Sequence, residues 1–271
     1  MEILYRDSDN QVEIFLCSCS LICILRAYTE INISKKRIVE LLEHFKEFLT
    51  VNFNTPELIN ALVCSINKFV SDAHITVIDN SDMEKCVSGL PDNVTVIDNT
   101  YGQFINFKKW INSFPYKYTP AGRFNNYGSA KHCYTIQRFM DTVDYNFMLV
   151  DSDILLKRDV SDVFIEDCIW VSRTVLGKPW KPRISPWLCY INNAMCRKYG
   201  VKFFNPEKMH GLGSRNMLYD TGASFYEESV PYKHFEVNLD DYCIHYGAAS
   251  YDKKKRGSIK EFLERNRQYW T

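Results

Sequence analysis

From Phe48 onward the chain alternates short apolar runs with amphipathic segments, and the apolar runs stop abruptly at an Asp or Asn. His74-Ile-Thr-Val-Ile-Asp79, Asn93-Val-Thr-Val-Ile-Asp98 and Asn146-Phe-Met-Leu-Val-Asp151 are the plainest cases, and Phe48 to Asn54 reads as the first strand of the series. Thr55-Pro56 opens a helix, with Thr as N-cap and Pro at the first helical position, and Leu58 to Phe69 continues it. A second helix is expected over Ser129 to Met140. Short strands apolar on both faces and separated by helices fold as a mainly parallel sheet covered on both sides, so the expected fold class is α/β. In such sheets ligands bind beyond the carboxyl ends of the strands. That rule singles out Asn52, Asn54, Asp79, Asp98, Asp151 and Asp153.

The flanks of this pattern differ from it. Residues 1–46 are expected to form an N-terminal helical extension, with 47–271 as the main domain. Ser34 is a plausible N-cap, and Ile38, Leu41, Leu42, Phe45 and Phe48 fall on one helical face. The apolar run Ile14 to Leu25 is too short to span a bilayer as a helix. Acidic residues Glu2, Asp7, Asp9 and Glu13 precede it, the opposite of a signal peptide's basic start. The expected location is therefore cytoplasmic. Beyond Asp153 the text becomes irregular and aromatic. Residues 177–235, with Trp180, Trp187, Tyr190, Phe203, Phe204, Tyr219, Phe225 and Tyr226, read as loops and short strands walling an acceptor cleft.

Lysine plus arginine and aspartate plus glutamate balance at 33 each, which removes the general electrostatic reason for a nucleic-acid partner. The ten cysteines show no C-x-x-C spacing and mostly sit in apolar segments, as reduced buried thiols do.

The central signal is Asp151-Ser152-Asp153, directly after the apolar Phe147-Met-Leu-Val run. Two carboxylates projecting together from a strand's end repel one another unless a cation joins them, which makes a divalent metal the natural third party. A strand ending this way resembles the D-x-D signature of GT-A fold glycosyltransferases, of the family 2-like type that builds bacterial surface polysaccharides. Other segments resemble that family in the same order: Thr50-Val-Asn-Phe-Asn-Thr-Pro-Glu-Leu, Val77-Ile-Asp79-Asn80-Ser81, Asn125-Asn126-Tyr127-Gly128-Ser129-Ala130-Lys131-His132, and Ile244-His245-Tyr246-Gly247-Ala248-Ala249-Ser250-Tyr251.

The resemblance implies a Rossmann-like GT-A domain with a mainly parallel central sheet and an acceptor-side C-terminal region. It implies a nucleotide-diphosphate sugar donor, UDP-sugar favoured, Mn²⁺ or Mg²⁺ as cofactor, and a saccharide or glycolipid acceptor at a peripheral position on the inner membrane face. Asn52, Asn54 and Asp79 would line the nucleoside pocket. Asp151 would meet the ribose or the metal, Asp153 and His245 would bind the metal, and Lys131 or Arg173 would touch the diphosphate or sugar.

For an inverting reaction the base expected from the residues is Asp220, in Tyr219-Asp220-Thr221-Gly222, where the glycine permits close backbone approach to a ligand. Asp240 and Asp241 are runners-up. Two other classes fit parts of the text: a haloacid-dehalogenase-like phosphohydrolase with Asp151 as nucleophile, and a non-catalytic carbohydrate-binding module. A dinucleotide oxidoreductase does not fit, because no G-x-G-x-x-G follows the first strands.

Overall fold

The computed structural model describes residues 45–82, 89–112, 127–177, 180–209, 219–247 and 258–271. The Ile14 to Leu25 run, the Ser34 helix up to residue 44, Asn125-Asn126, and Ala248 to Tyr251 lie outside these residues.

Eleven strands follow in chain order among the described residues: β1 (Lys46–Asn52), β2 (Ala73–Asp79), β3 (Val94–Asp98), β4 (Phe147–Val150), β5 (Ile154–Leu156), β6 (Trp170–Ser172), β7 (Thr174–Val175), β8 (Arg183–Ile184), β9 (Leu188–Ile191), β10 (Phe235–Glu236) and β11 (Cys243–His245). The helices are α1 (Pro56–Phe69), α2 (Phe107–Asn112), α3 (Tyr127–Thr142), α4 (Asn193–Tyr199), α5 (Pro206–Met209), α6 (Ala223–Ser229) and α7 (Ile259–Arg265). Seven strands form the main sheet in the order β10-β6-β9-β4-β1-β2-β3, while β5 pairs with β11 and β7 with β8. Parallel pairing joins β1 to β2 and β4, β2 to β3, and β6 to β10; β9 runs antiparallel to both of its neighbours. The chain is thus an α/β fold with a mostly parallel central sheet flanked by helices.

The strand period of two explains why both faces are covered. Leu49, Ile78, Phe147, Leu149, Trp170, Cys189 and Ile191 point to one side, where Ala130, Cys133, Ile136 and Met140 of α3 close over them. Phe48, Ile75, Val77, Met148, Val150, Val171, Leu188 and Tyr190 point to the other, against Ile59, Leu62, Val63 and Ile66 of α1. Each of the larger side chains contributes about 1.5–3 kcal/mol by leaving water. The sheet's centre is therefore rigid where β4 delivers Asp151 to its edge.

Three sequence expectations are corrected. The first strand begins at Lys46 rather than Phe48 and ends at Asn52; Asn54 turns the chain with a left-handed φ of 59°. Phe48, which also suited the apolar face of the Ser34 helix, is a buried strand residue. Finally, the short strands expected in 177–235 are there as β8 and β9, but β9 is a fully buried inner strand of the main sheet, and the helices α4, α5 and α6, which were not expected, follow it. Only four apolar residues, between Trp187 and Asn192, mark that strand, too few for a period to be read.

Candidate functional site

Asp79, Asp98 and Asp151 all stand at the same carboxyl edge, because the strands they follow run parallel. At this edge β4 stops and the chain turns through Ser152 and Asp153 into β5, which leaves the main sheet and pairs with β11. The register of that small ladder sets His245 opposite Ile154, and the Tyr246 N–H donates to the Asp153 carbonyl at 2.9 Å. His245 Nε2 consequently lies 3.2 Å from Asp153 Oδ1. Ligand atoms of Asp151, Asp153 and His245 all fall within 4.8 Å of one another.

The electrostatics of this cluster are unbalanced. Burial pushes the Asp151 carboxyl up to about 7, and the Asp153 and Asp220 charges add to the rise while His245 and Arg183 oppose it. Two carboxylates held together at a buried site repel one another, and two oxygen donors with one imidazole suit a divalent cation such as Mn²⁺ or Mg²⁺. The donor set therefore fits a metal, with Asp151, Asp153 and His245 as its holders.

His132 was quoted in the sequence motif but given no role; it reaches the same cluster. Its Nε2 is 4.0 Å from Asp151 Oδ1. Burial drives its pKa down to about 4 against the pull of Asp220 and Asp153, so the ring is neutral at pH 7. One helical turn earlier on α3, the Ser129 hydroxyl donates to Asp220 Oδ1, and the Thr221 N–H donates to the same oxygen at 2.9 Å. Arg183 Nη1 stands 3.4 Å from Asp220 Oδ2. Asp220 is thereby aimed by Ser129 on α3, Arg183 on β8 and the N–H of its own neighbour Thr221, and its charge is felt at Asp151 and His132.

A Cβ on Gly222 would sit 2.6 Å from the Ile184 carbonyl oxygen, and its φ is +85°. This close approach is made to β8, just ahead of α6, where Asp220 stands beside Arg183.

Asn52, Asn54 and Asp79 form one buried network below the edge, at 0%, 5% and 1% exposure. Asn52 Nδ2 donates to Asp79 Oδ1 and Ser81 Oγ, both at 2.9 Å, and its Oδ1 accepts from the Thr55 N–H and hydroxyl at 3.1 Å. Both ends of the Asn52 amide are thus engaged inside the protein, and Asn52 acts as a peg tying the β1 and β2 ends together. Thr55 turns its hydroxyl to Asn52 and makes no side-chain cap on α1. Asn54 and Asp82 bond reciprocally, Nδ2 to Oδ1 at 2.5 Å and the Asp82 N–H to Asn54 Oδ1 at 3.1 Å.

The two cations are not plain surface charges. Lys131 Nζ lies 5.0 Å from the Phe53 ring centroid and 5.6 Å from that of Phe107, and burial lowers its pKa while Asp82 resists. Arg173 lies over the Trp187 ring, Cζ 4.8 Å from its centroid, and bonds Asp240 Oδ2 at 3.2 Å.

Sequence reasoning gave no role to Ser129, His132 or Arg183, and named Trp187 only among the aromatics walling an acceptor cleft. The spacing of Ser129 and His132 on one helix face was a usable signal. Arg183 and Trp187 belong to the aromatic stretch whose short strands carried no readable period.

The described cysteines are free thiols, all buried except Cys64. Burial pushes Cys133, Cys196 and Cys243 up to about 12, which keeps them protonated and unreactive. Among the described residues no helix is long and apolar enough to cross a membrane.

No protein-family model and no curated protein matches the chain. Among solved structures, the glycosyltransferase GlyE of Streptococcus pneumoniae is 12% identical with a TM-score of 0.42, over 81% of this chain and 52% of its own. Mouse xyloside xylosyltransferase 1 is 12% identical with a TM-score of 0.43, over 69% of this chain and 81% of its own. The mannosyltransferase PcManGT from Pyrobaculum calidifontis, solved with GDP-Man and Mn²⁺, is 13% identical with a TM-score of 0.41, over 83% and 64%. The chain spans about half the length of GlyE. These values are too low to carry activity from those enzymes to this chain.

Proposed function

We propose that the chain is a GT-A type glycosyltransferase that moves a sugar from a nucleoside-diphosphate sugar to an acceptor hydroxyl with the help of Mn²⁺ or Mg²⁺. The observation that carries the reading is the convergence of Asp151, Asp153 and His245 within 4.8 Å, at the edge where a parallel sheet offers its ligand crevice. The ordered motif resemblance of the sequence supports it.

In this reading Asp151, Asp153 and His245 hold the cation. When bound, the cation neutralises charge developing on the departing diphosphate. Lys131 and Arg173 stand as candidate contacts for the diphosphate or sugar. Asn54 and Asp79 border the nucleoside end, and Asn52 fixes the loops that carry them. Asp220 takes the proton of the acceptor hydroxyl, and Ser129 and Arg183 hold its carboxylate in one orientation. A UDP-sugar donor, a saccharide or glycolipid acceptor, and work in the cytoplasm at the membrane's inner face complete the proposal.

The test is a panel of UDP-, GDP- and TDP-sugars incubated with the full chain in Mn²⁺ or in EDTA. Donor turnover in Mn²⁺ alone, abolished by Asp153→Ala, supports the reading. Turnover that ignores EDTA and survives Asp153→Ala removes the metal and the D-x-D from the mechanism.

A further inference from the structure

We propose that the ring of Trp187 is a positioning residue for His245. The inference rests on the cation reading above and concerns how one of its three holders is kept in place. The imidazole stands against the indole with ring centroids 4.0 Å apart and an interplanar angle of 32°. Gly247 also stands beside the ring: a Cβ there would make ordinary contact with His245 Cε1 at 3.4 Å. The ring therefore rests on an aromatic face with Gly247 beside it, and Nε2 is directed at Asp153.

Trp187 is itself fixed. Its carbonyl accepts the Asp151 N–H at 3.2 Å, which extends the β4–β9 pairing by one step. Its ring lies under the Arg173 guanidinium, and Asp240 anchors Arg173. One residue thus touches two of the three holders, Asp151 through its backbone and His245 through its ring. The backbone link belongs to any residue at this position. The ring contact belongs to an aromatic one.

A histidine at the end of a three-residue strand has few neighbours to choose its rotamer. Without the indole the imidazole is free to swing toward solvent, and a swinging ligand binds a metal less tightly because its ordering must be supplied on binding.

The test uses the full chain and Mn²⁺ alone, with free Mn²⁺ read by electron paramagnetic resonance at pH 8. Trp187→Leu is expected to weaken Mn²⁺ binding about 10- to 100-fold, the usual cost of losing a residue that orients a ligand. Trp187→Phe, which restores a ring, is expected to recover most of that loss. In the background of His245→Ala, Trp187→Leu should cost nothing further, because its effect passes through the missing imidazole. The same loss with and without His245 would overturn the inference, as would unchanged binding by Trp187→Leu.

A second readout needs no tryptophan variant. The His245 ring protons, assigned by their disappearance in His245→Ala, should be shifted upfield of the other histidines by the indole's ring current; an unshifted signal also overturns the inference. Failure of the cation reading looks different: wild-type protein would bind no Mn²⁺, while the upfield shift would remain.

Discussion

His245 Nε2 and Asp153 Oδ1 meet at 3.2 Å although 92 positions separate them in the chain, and the two-stranded β5–β11 ladder is what brings them together. Asp153→Ala is expected to abolish Mn²⁺-dependent donor turnover, and His245→Ala to weaken Mn²⁺ binding by about 10- to 100-fold or more. Both are read by titrating Mn²⁺ and by assaying donor hydrolysis side by side. Full turnover in either variant contradicts the assignment.

The Asp151 carboxyl, held up at about 7 by burial, makes cation binding depend on pH. Below that value a proton must leave before the carboxylate becomes a ligand, so affinity for Mn²⁺ should fall as pH drops from 7 toward 5, by up to about tenfold per pH unit. The stability effect has the opposite direction. Between the ordinary value of 3.8 and about 7, the folded chain holds a proton that the unfolded chain has lost, so this group lowers stability as pH rises. In EDTA, Asp151→Asn should gain stability over wild type as pH rises across that window, because it never has to lose the proton. Urea denaturation at pH 5 and pH 8 reads the gain; equal stabilities at both pH values contradict it.

Asp220→Asn removes the proposed proton acceptor but leaves the cation's holders intact. The expected result is a fall in kcat of about 10²–10⁴-fold with Mn²⁺ affinity changed by only a few-fold. Comparable losses in both quantities would make Asp220 part of the cation site instead.

Gly222→Ala tests the backbone device that aims Asp220. It meets the Ile184 carbonyl oxygen at 2.6 Å from a left-handed backbone, whereas Gly200 is left-handed with open space around it. Gly200→Ala should cost about 1–2 kcal/mol for the backbone alone. Gly222→Ala should cost clearly more in chemical denaturation and should lower turnover with it. Equal costs would mean that the β8 contact yields without consequence.

Asn52→Ala leaves the Thr55 N–H without its buried acceptor and Asp79 without one of its donors. A loss of about 2–4 kcal/mol in urea denaturation is expected. A loss under about 1 kcal/mol would mean that the strand ends hold without this peg.

The parallel core was legible because apolar runs ending in Asp79, Asp98 and Asp151 announce their own limits. The Asp151–Asp153 pair was legible for the same reason: a strand's end fixes where its last residues point. Arg183, Trp187 and the inner strand β9 were not. The strands β8 and β9 are two and four residues long, Trp187 sits in the turn between them, and β9 is ordered by its pairing with β4 and β6 rather than by a pattern of its own. The sequence singled out Gly222 but not its contact with Ile184, because a glycine's need for space shows in sequence while the neighbour across from it does not. Asn52 was read as a ligand contact because position at a strand's end says nothing of whether an amide is already satisfied within the fold.

The measurement closest to the central claim is nucleoside-diphosphate binding by calorimetry, with UDP and GDP, in Mn²⁺ and in EDTA. Binding in Mn²⁺ that disappears in EDTA and in Asp153→Ala is the expected result. Equal binding in EDTA, or none to either nucleotide with Mn²⁺ present, would contradict the reading that these carboxylates and His245 hold a cation for a diphosphate.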